Sequence, residues 1–138
     1  MKSTAFSAQD NRVCRAPADI ASLRAVAEDA GLRWTGIDLR RARGKRALLN
    51  AFARALEFPA SFGGNWDALA DCLQDLSWLP AQGRVLALRG AADFAVAESD
   101  AHGLLLEILG AASDYWRGRG RVFIVLSDAA GLPAFSAR

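Results

Sequence analysis

Residues 121–127 read RVFIVLS, the clearest strand in the chain. Val122, Phe123, Ile124 and Val125 are β-branched or aromatic and favour extended backbone. Side chains alternate between the two faces of a strand, so a run that is apolar at nearly every position needs cover on both. That pattern belongs to a parallel sheet with helices packed against it. Upstream, residues 102–116 place Leu105, Ile108, Leu109, Ala112 and Trp116 at helical spacing for burial. Residues 84–88, RVLAL, form a second short apolar strand. Residues 45–56, KRALLNAFARAL, read as a helix with Leu48, Leu49, Phe52 and Leu56 inward, closed near Pro59. Residues 32–39, LRWTGIDL, alternate as a third strand. Residues 19–30, DIASLRAVAEDA, form a helix stopped by Gly31, with Ile20, Leu23 and Ala27 on one face. Strands separated by helices predict an α/β fold, a small three-stranded parallel sheet packed with helices. Leu105, Leu109, Val122, Ile124 and Leu126 are expected in the core between sheet and helix.

At 138 residues, 52% apolar and 23% charged, the chain has the composition of a single soluble domain. A domain of this size buries enough surface to need no metal or disulfide staple. No metal or cofactor is expected. Cys14 and Cys72 lie far apart and form no CxxC pair, which suits free thiols in a reducing compartment. The opening residues, MKSTAFSAQDNRVCR, lack an apolar core of signal-peptide length, and no run reaches the roughly 18 apolar residues of a membrane span. A cytoplasmic protein, monomeric when free and away from membranes, is the expectation. The lone histidine, His102, reads as a surface or capping residue. No nucleophile–base pair or metal-ligand spacing can be built around it, so an enzyme is not expected. Cys72 reads as a packed small hydrophobe.

Charge is unevenly distributed. Arg33, Arg40, Arg41, Arg43, Lys45, Arg46 and Arg54 face a single acid, Asp38, over residues 33–54. Residues 55–83 then carry Glu57, Asp67, Asp71 and Asp75 with no base at all. Within them, residues 58–78 read FPASFGGNWDALADCLQDLSW. Gly63 and Gly64 allow a tight turn with positive φ, and Asn65 is a natural N-cap for a new helix. At ~100° per residue, Trp66, Leu69, Leu73 and Leu76 share one quadrant, while Asp67, Asp71 and Asp75 span an arc of about 80° opposite. Ala68, Ala70 and Gln74 lie between the acids. Like charges four residues apart cost a helix a few tenths of a kcal/mol per pair, and an acid near its C-terminal end also opposes the dipole. Stability does not select such a stripe. Either a solvated face or a cationic partner accounts for it.

The string FP-x-x-FG-x-NWDAL-x-DCL-x-D resembles the signature of the barstar family of ribonuclease inhibitors, and the resemblance covers roughly residues 32–127. It implies a barstar-like domain over residues 32–138, preceded by an N-terminal extension, residues 1–31, with one helix. It further implies that the signature loop and helix fill the active site of a basic, secreted, guanyl-preferring ribonuclease, with aspartates in the place of RNA phosphates. Asp71 matches the central anchor and Asp67 its partner. Gly63 and Asn65 match the contacting loop, with Trp66, Ala70 and Gln74 beside it, and the stripe adds Asp75 to this partner-binding set. Ser61 and Ala70 stand where the best-known member has aromatic contacts. Glu107 and Asp114 are candidates for a second acidic patch. An interaction domain of the same fold, binding another basic protein or toxin without ribonuclease inhibition, is the alternative. The basic residues 40–46 could contact phosphates, but no interleaved aromatics or nucleic-acid module accompanies them, so a nucleic-acid partner is not expected.

Overall fold

The computed structural model describes residues 6–135. In chain order these form a short 3₁₀ turn (Ala8–Asp10), β1 (Val13–Arg15), α1 (Ile20–Asp29), β2 (Arg33–Asp38), α2 (Gly44–Ala55), α3 (Trp66–Leu73), β3 (Arg84–Arg89), α4 (Ala91–Ala97), α5 (Ser99–Gly118) and β4 (Phe123–Ser127). The sheet is parallel throughout, in the order β1-β4-β3-β2. It therefore has four strands where three were expected. The additional one is β1, in which Val13 pairs with Val125 and Cys14 with Leu126. Three residues are too few to show a period, so β1 is not visible in the sequence.

β1 is held by its neighbour Asn11, which is fully buried. The Asn11 amide donates to the carbonyls of Arg121 (2.8 Å) and Ser113 (3.3 Å), and its Oδ1 accepts from Phe123 N at 2.7 Å. Val125 N then donates to Arg12 O, so the Asn11 side chain acts as one extra rung of the ladder. Arg117 adds a hydrogen bond to Asn11 O.

Strand alternation sorts the core into two layers. Leu86, Leu88, Phe123, Val125 and Ile37 join Leu48, Leu49, Phe52, Leu69, Leu73, Phe94, Leu105 and Leu109 beneath α2, α3, α4 and α5. Val85, Ile124, Leu126 and Cys14 pack on the other face with Ala27 and Leu23 of α1, Trp34, Phe6 and Phe135. Leu105, Leu109, Ile124 and Leu126 thus lie in the core between sheet and helix as expected, and the expectation fails only at Val122. All four are buried, Ile124 and Leu126 facing α1, and Val122 is only half-buried at the edge of that second layer.

Two helical features also differ from the reading of the sequence. α5 starts at Ser99, and a separate helix, α4, precedes it. Gly90 allows that turn: it has φ +79°, and a Cβ there would lie 2.7 Å from the Arg40 backbone. Asp128, just beyond β4, accepts from Ala92 N and ties α4 to the C-terminal end of the sheet.

Candidate protein-binding site

The segment of greatest interest begins where α2 ends. Phe58 packs edge-on against Phe62 (4.9 Å between centroids) and Trp78 (6.0 Å), and Trp78 Nε1 donates to Leu56 O. These three aromatics anchor both ends of the stretch, so the chain between them is displayed on a fixed base. Gly64 takes the left-handed conformation, φ +70°, whereas Gly63 does not need it. Asn65 is the N-cap: its Oδ1 accepts from Ala68 N at 2.8 Å. A side-chain oxygen at this position satisfies a backbone donor that the first helical turn leaves free.

α3 then buries Leu69 and Leu73 completely. Trp66 is half-buried against the core, and Lys45 Nζ, reaching over from α2, sits 5.7 Å from its ring centroid. Sequence spacing within the segment gave no sign of this cation, because it comes from another helix. The Asp67 and Asp71 side chains are exposed on the outer face, one turn apart. Among the described residues neither forms an ion pair or a side-chain hydrogen bond; the ion pairs are Arg24–Glu28, Arg33–Glu57, Arg40–Asp38 and Arg117–Asp114.

The stripe is shorter than the wheel suggests. α3 ends at Leu73 with Gln74 as its C-cap. Leu76 is fully buried with φ +55°, a conformation that turns the chain out of the helix. Asp75 therefore lies in a turn, where its Oδ1 accepts from Ser77 N at 3.2 Å. Trp116 of α5 donates from Nε1 to Leu73 O at 2.9 Å, capping the last turn of α3 from outside. That contact spans 43 positions of the chain, and no local pattern signals it.

The structure thus brings Asp67 and Asp71 together on one helix capped by Asn65, with Gly63 beside its entry and Trp66, Ala70 and Gln74 half-buried along its flanks. Ser61 is exposed in the loop before it. Of the candidates for a second patch, Asp114 is neutralised by Arg117 at 2.6 Å, while Glu107 is exposed and has no ion-pair partner among the described residues. Asp38 is held well below the usual carboxylate range by side-chain and backbone hydrogen bonds from Arg40, so one base of the basic segment is already matched.

The remaining reactive side chains are subdued. Burial pushes the Cys14 thiol up to about 11, and Cys14 Sγ lies 3.6 Å from Val125 O. The half-buried Cys72 thiol is also raised, first by desolvation and then by Asp75 and Asp71. His102 is buried in the first turn of α5 rather than at the surface, and desolvation lowers its pKa. Among the described residues, no group of His, Cys, Asp and Glu is arranged to hold a metal ion.

Fold and surface define a class: a small parallel α/β protein that presents, on a helix clamped at both ends, two exposed carboxylates that form no ion pair among the described residues. The family model described as Barstar (barnase inhibitor) matches residues 32–128, and the chain belongs to the barstar family. Members of this family are inhibitors rather than enzymes, and their partner is a ribonuclease. Among curated proteins, none matches the chain significantly.

Proposed function

We propose that this protein inhibits a basic, guanyl-preferring ribonuclease inside the cell that makes it, one copy blocking one enzyme. The observation that carries the proposal is the pair Asp67 and Asp71, exposed on α3 and, among the described residues, outside every ion pair. A ribonuclease site gathers several cations to bind phosphate, and their mutual repulsion is unrelieved in the free enzyme. Carboxylates on a preformed helix can neutralise them with no flexible chain to order first. Asn65, Trp116 and the Phe58–Phe62–Trp78 cluster supply that rigidity. Gly63, Asn65, Trp66, Ala70, Gln74 and Asp75 frame the contact.

The test is a titration of RNA cleavage by a purified ribonuclease of the barnase type. Cleavage is expected to fall to zero at one equivalent of inhibitor, and the association rate to drop as salt screens the opposite charges. Unchanged cleavage at a large excess would contradict the proposal. Ser61 and Ala70, at positions expected to carry aromatic contacts, favour a second reading in which the same helix binds a different basic protein. Capture of such a protein with RNA cleavage intact would select it.

A further inference from the structure

A second concave site lies at the opposite end of α3 from the Asn65 cap. It is a cavity of about 530 Å³ between the turn that follows α3, the last turns of α5, and the N-terminal ends of β3 and β4. This volume lies within the usual range for small-molecule sites. Three arginines line it, Arg84, Arg119 and Arg121, against one acidic residue, Asp75. Among the described residues none of these four belongs to an ion pair.

Arg84 is the unusual member. It opens β3 yet is only 6% exposed. Its Nη2 donates to Leu79 O at 2.6 Å, while its buried Nη1 has no hydrogen-bond partner among the described residues. Burial, and then the nearby charges of Arg33 and Arg121, push its pKa down to about 10. A buried cation is costly unless it is paired, and this one is crowded by like charges instead. Arg121 is fixed at the rim by its bond to Ala81 O, and Arg119 lies over the Tyr115 ring at 4.5 Å. The bonds of Arg84 and Arg121 to loop carbonyls and the stacking of Arg119 hold these side chains in place but leave their mutual repulsion around one hollow unrelieved. An anion bound there would relieve it.

We propose that this cavity binds the phosphate monoester of a small organic molecule, its phosphoryl group held by Arg84 and Arg121. The net charge of the lining, three arginines and one aspartate, is +2. A phosphate monoester carries between −1.5 and −2 at neutral pH, roughly its complement. Guanidinium forks match phosphoryl oxygens in pairs. The volume exceeds what a bare ion fills, and Tyr115 and Trp116 give the rest of the molecule an aromatic wall. The proposal does not depend on ribonuclease inhibition.

Calorimetric titration of the full chain at low salt tests it, using ribose 5-phosphate and a nucleoside 5′-monophosphate, each beside its unphosphorylated counterpart, with citrate as a carboxylate probe. At least one phosphate monoester is expected to bind about tenfold or more tightly than its counterpart, a difference of about one charge-assisted contact. Arg121→Gln is expected to weaken it several-fold, and Arg84→Lys, which keeps the charge but loses the fork, to weaken it as well. Arg54→Gln, in the separate hollow on α2, is expected to leave it unchanged. Equal binding of phosphorylated and unphosphorylated probes would overturn the proposal. So would undiminished binding by Arg121→Gln, equal loss in Arg54→Gln, or binding of citrate alone.

Discussion

Replacing Asn11 by alanine tests whether the N-terminal segment is part of the folded unit or merely lies on it. Three side-chain hydrogen bonds disappear. The Phe123 N–H is left buried without its acceptor, at about 1–3 kcal/mol. Arg121 is exposed, so water can replace the amide at its carbonyl, and the two lost donor bonds add about 0.5–1.5 kcal/mol each at most. The sum is about 2–6 kcal/mol, a fall in Tm of roughly 7–20 °C for a chain of this length. Urea titration followed by tryptophan fluorescence reads the change, and a single transition is expected in both proteins. A loss below about 0.5 kcal/mol would refute the reasoning, because it would mean that Asn11 does not hold β1 to β4.

Three further outcomes follow from the packing. Leu109→Ala, at a fully buried position beneath α5, is expected to cost about 2–5 kcal/mol in the same titration, and a near-zero loss would show that this helix is not packed on the sheet. Asn65→Ala is expected to cost about 0.5–2 kcal/mol through loss of the α3 cap, measured as a lower urea midpoint. Cys14 is raised from about 9 in the unfolded chain to about 11 in the folded one. Its contribution to stability is therefore complete below pH 9 and is lost as the unfolded thiol ionises between about pH 9 and 11. Cys14→Ser is expected to flatten that part of the stability–pH curve, and an identical slope in both proteins would contradict it.

Most of the architecture is legible in the chain because long elements carry their period. α1, α2, α5 and the strands β2, β3 and β4 all declare themselves through apolar spacing, and Asn65 declares the start of α3. What escapes is what distant contacts decide. β1 exists because Asn11 is latched onto β4 and α5, more than a hundred positions away. α3 stops at Leu73 because Leu76 turns into the core and Trp116 caps the helix end. Asp75 consequently leaves the stripe to which its spacing assigns it. α4 is a small-residue helix, AADFAVA, whose placement rests on Gly90 and Asp128. In the sequence Arg84 is only the first residue of a short apolar strand, and the fold shows it buried beside a cavity.

The central claim is that α3 is the inhibitory face, and Asp71→Ala tests it most directly. Asp71 is exposed, has no ion-pair partner among the described residues, and lies one turn from the like-charged Asp67, so its removal is expected to leave the urea midpoint unchanged or slightly raised. In the complex, the enzyme's desolvated cations would lose a charged hydrogen-bond acceptor, at a cost of at least about 1.5 kcal/mol, or roughly tenfold in affinity. Inhibition constants of the parent, Asp71→Ala and the control Arg43→Ala are to be measured against the same ribonuclease. The account predicts inhibition at least about tenfold weaker for Asp71→Ala alone, with all three unfolding midpoints alike. Full inhibition by Asp71→Ala would contradict it.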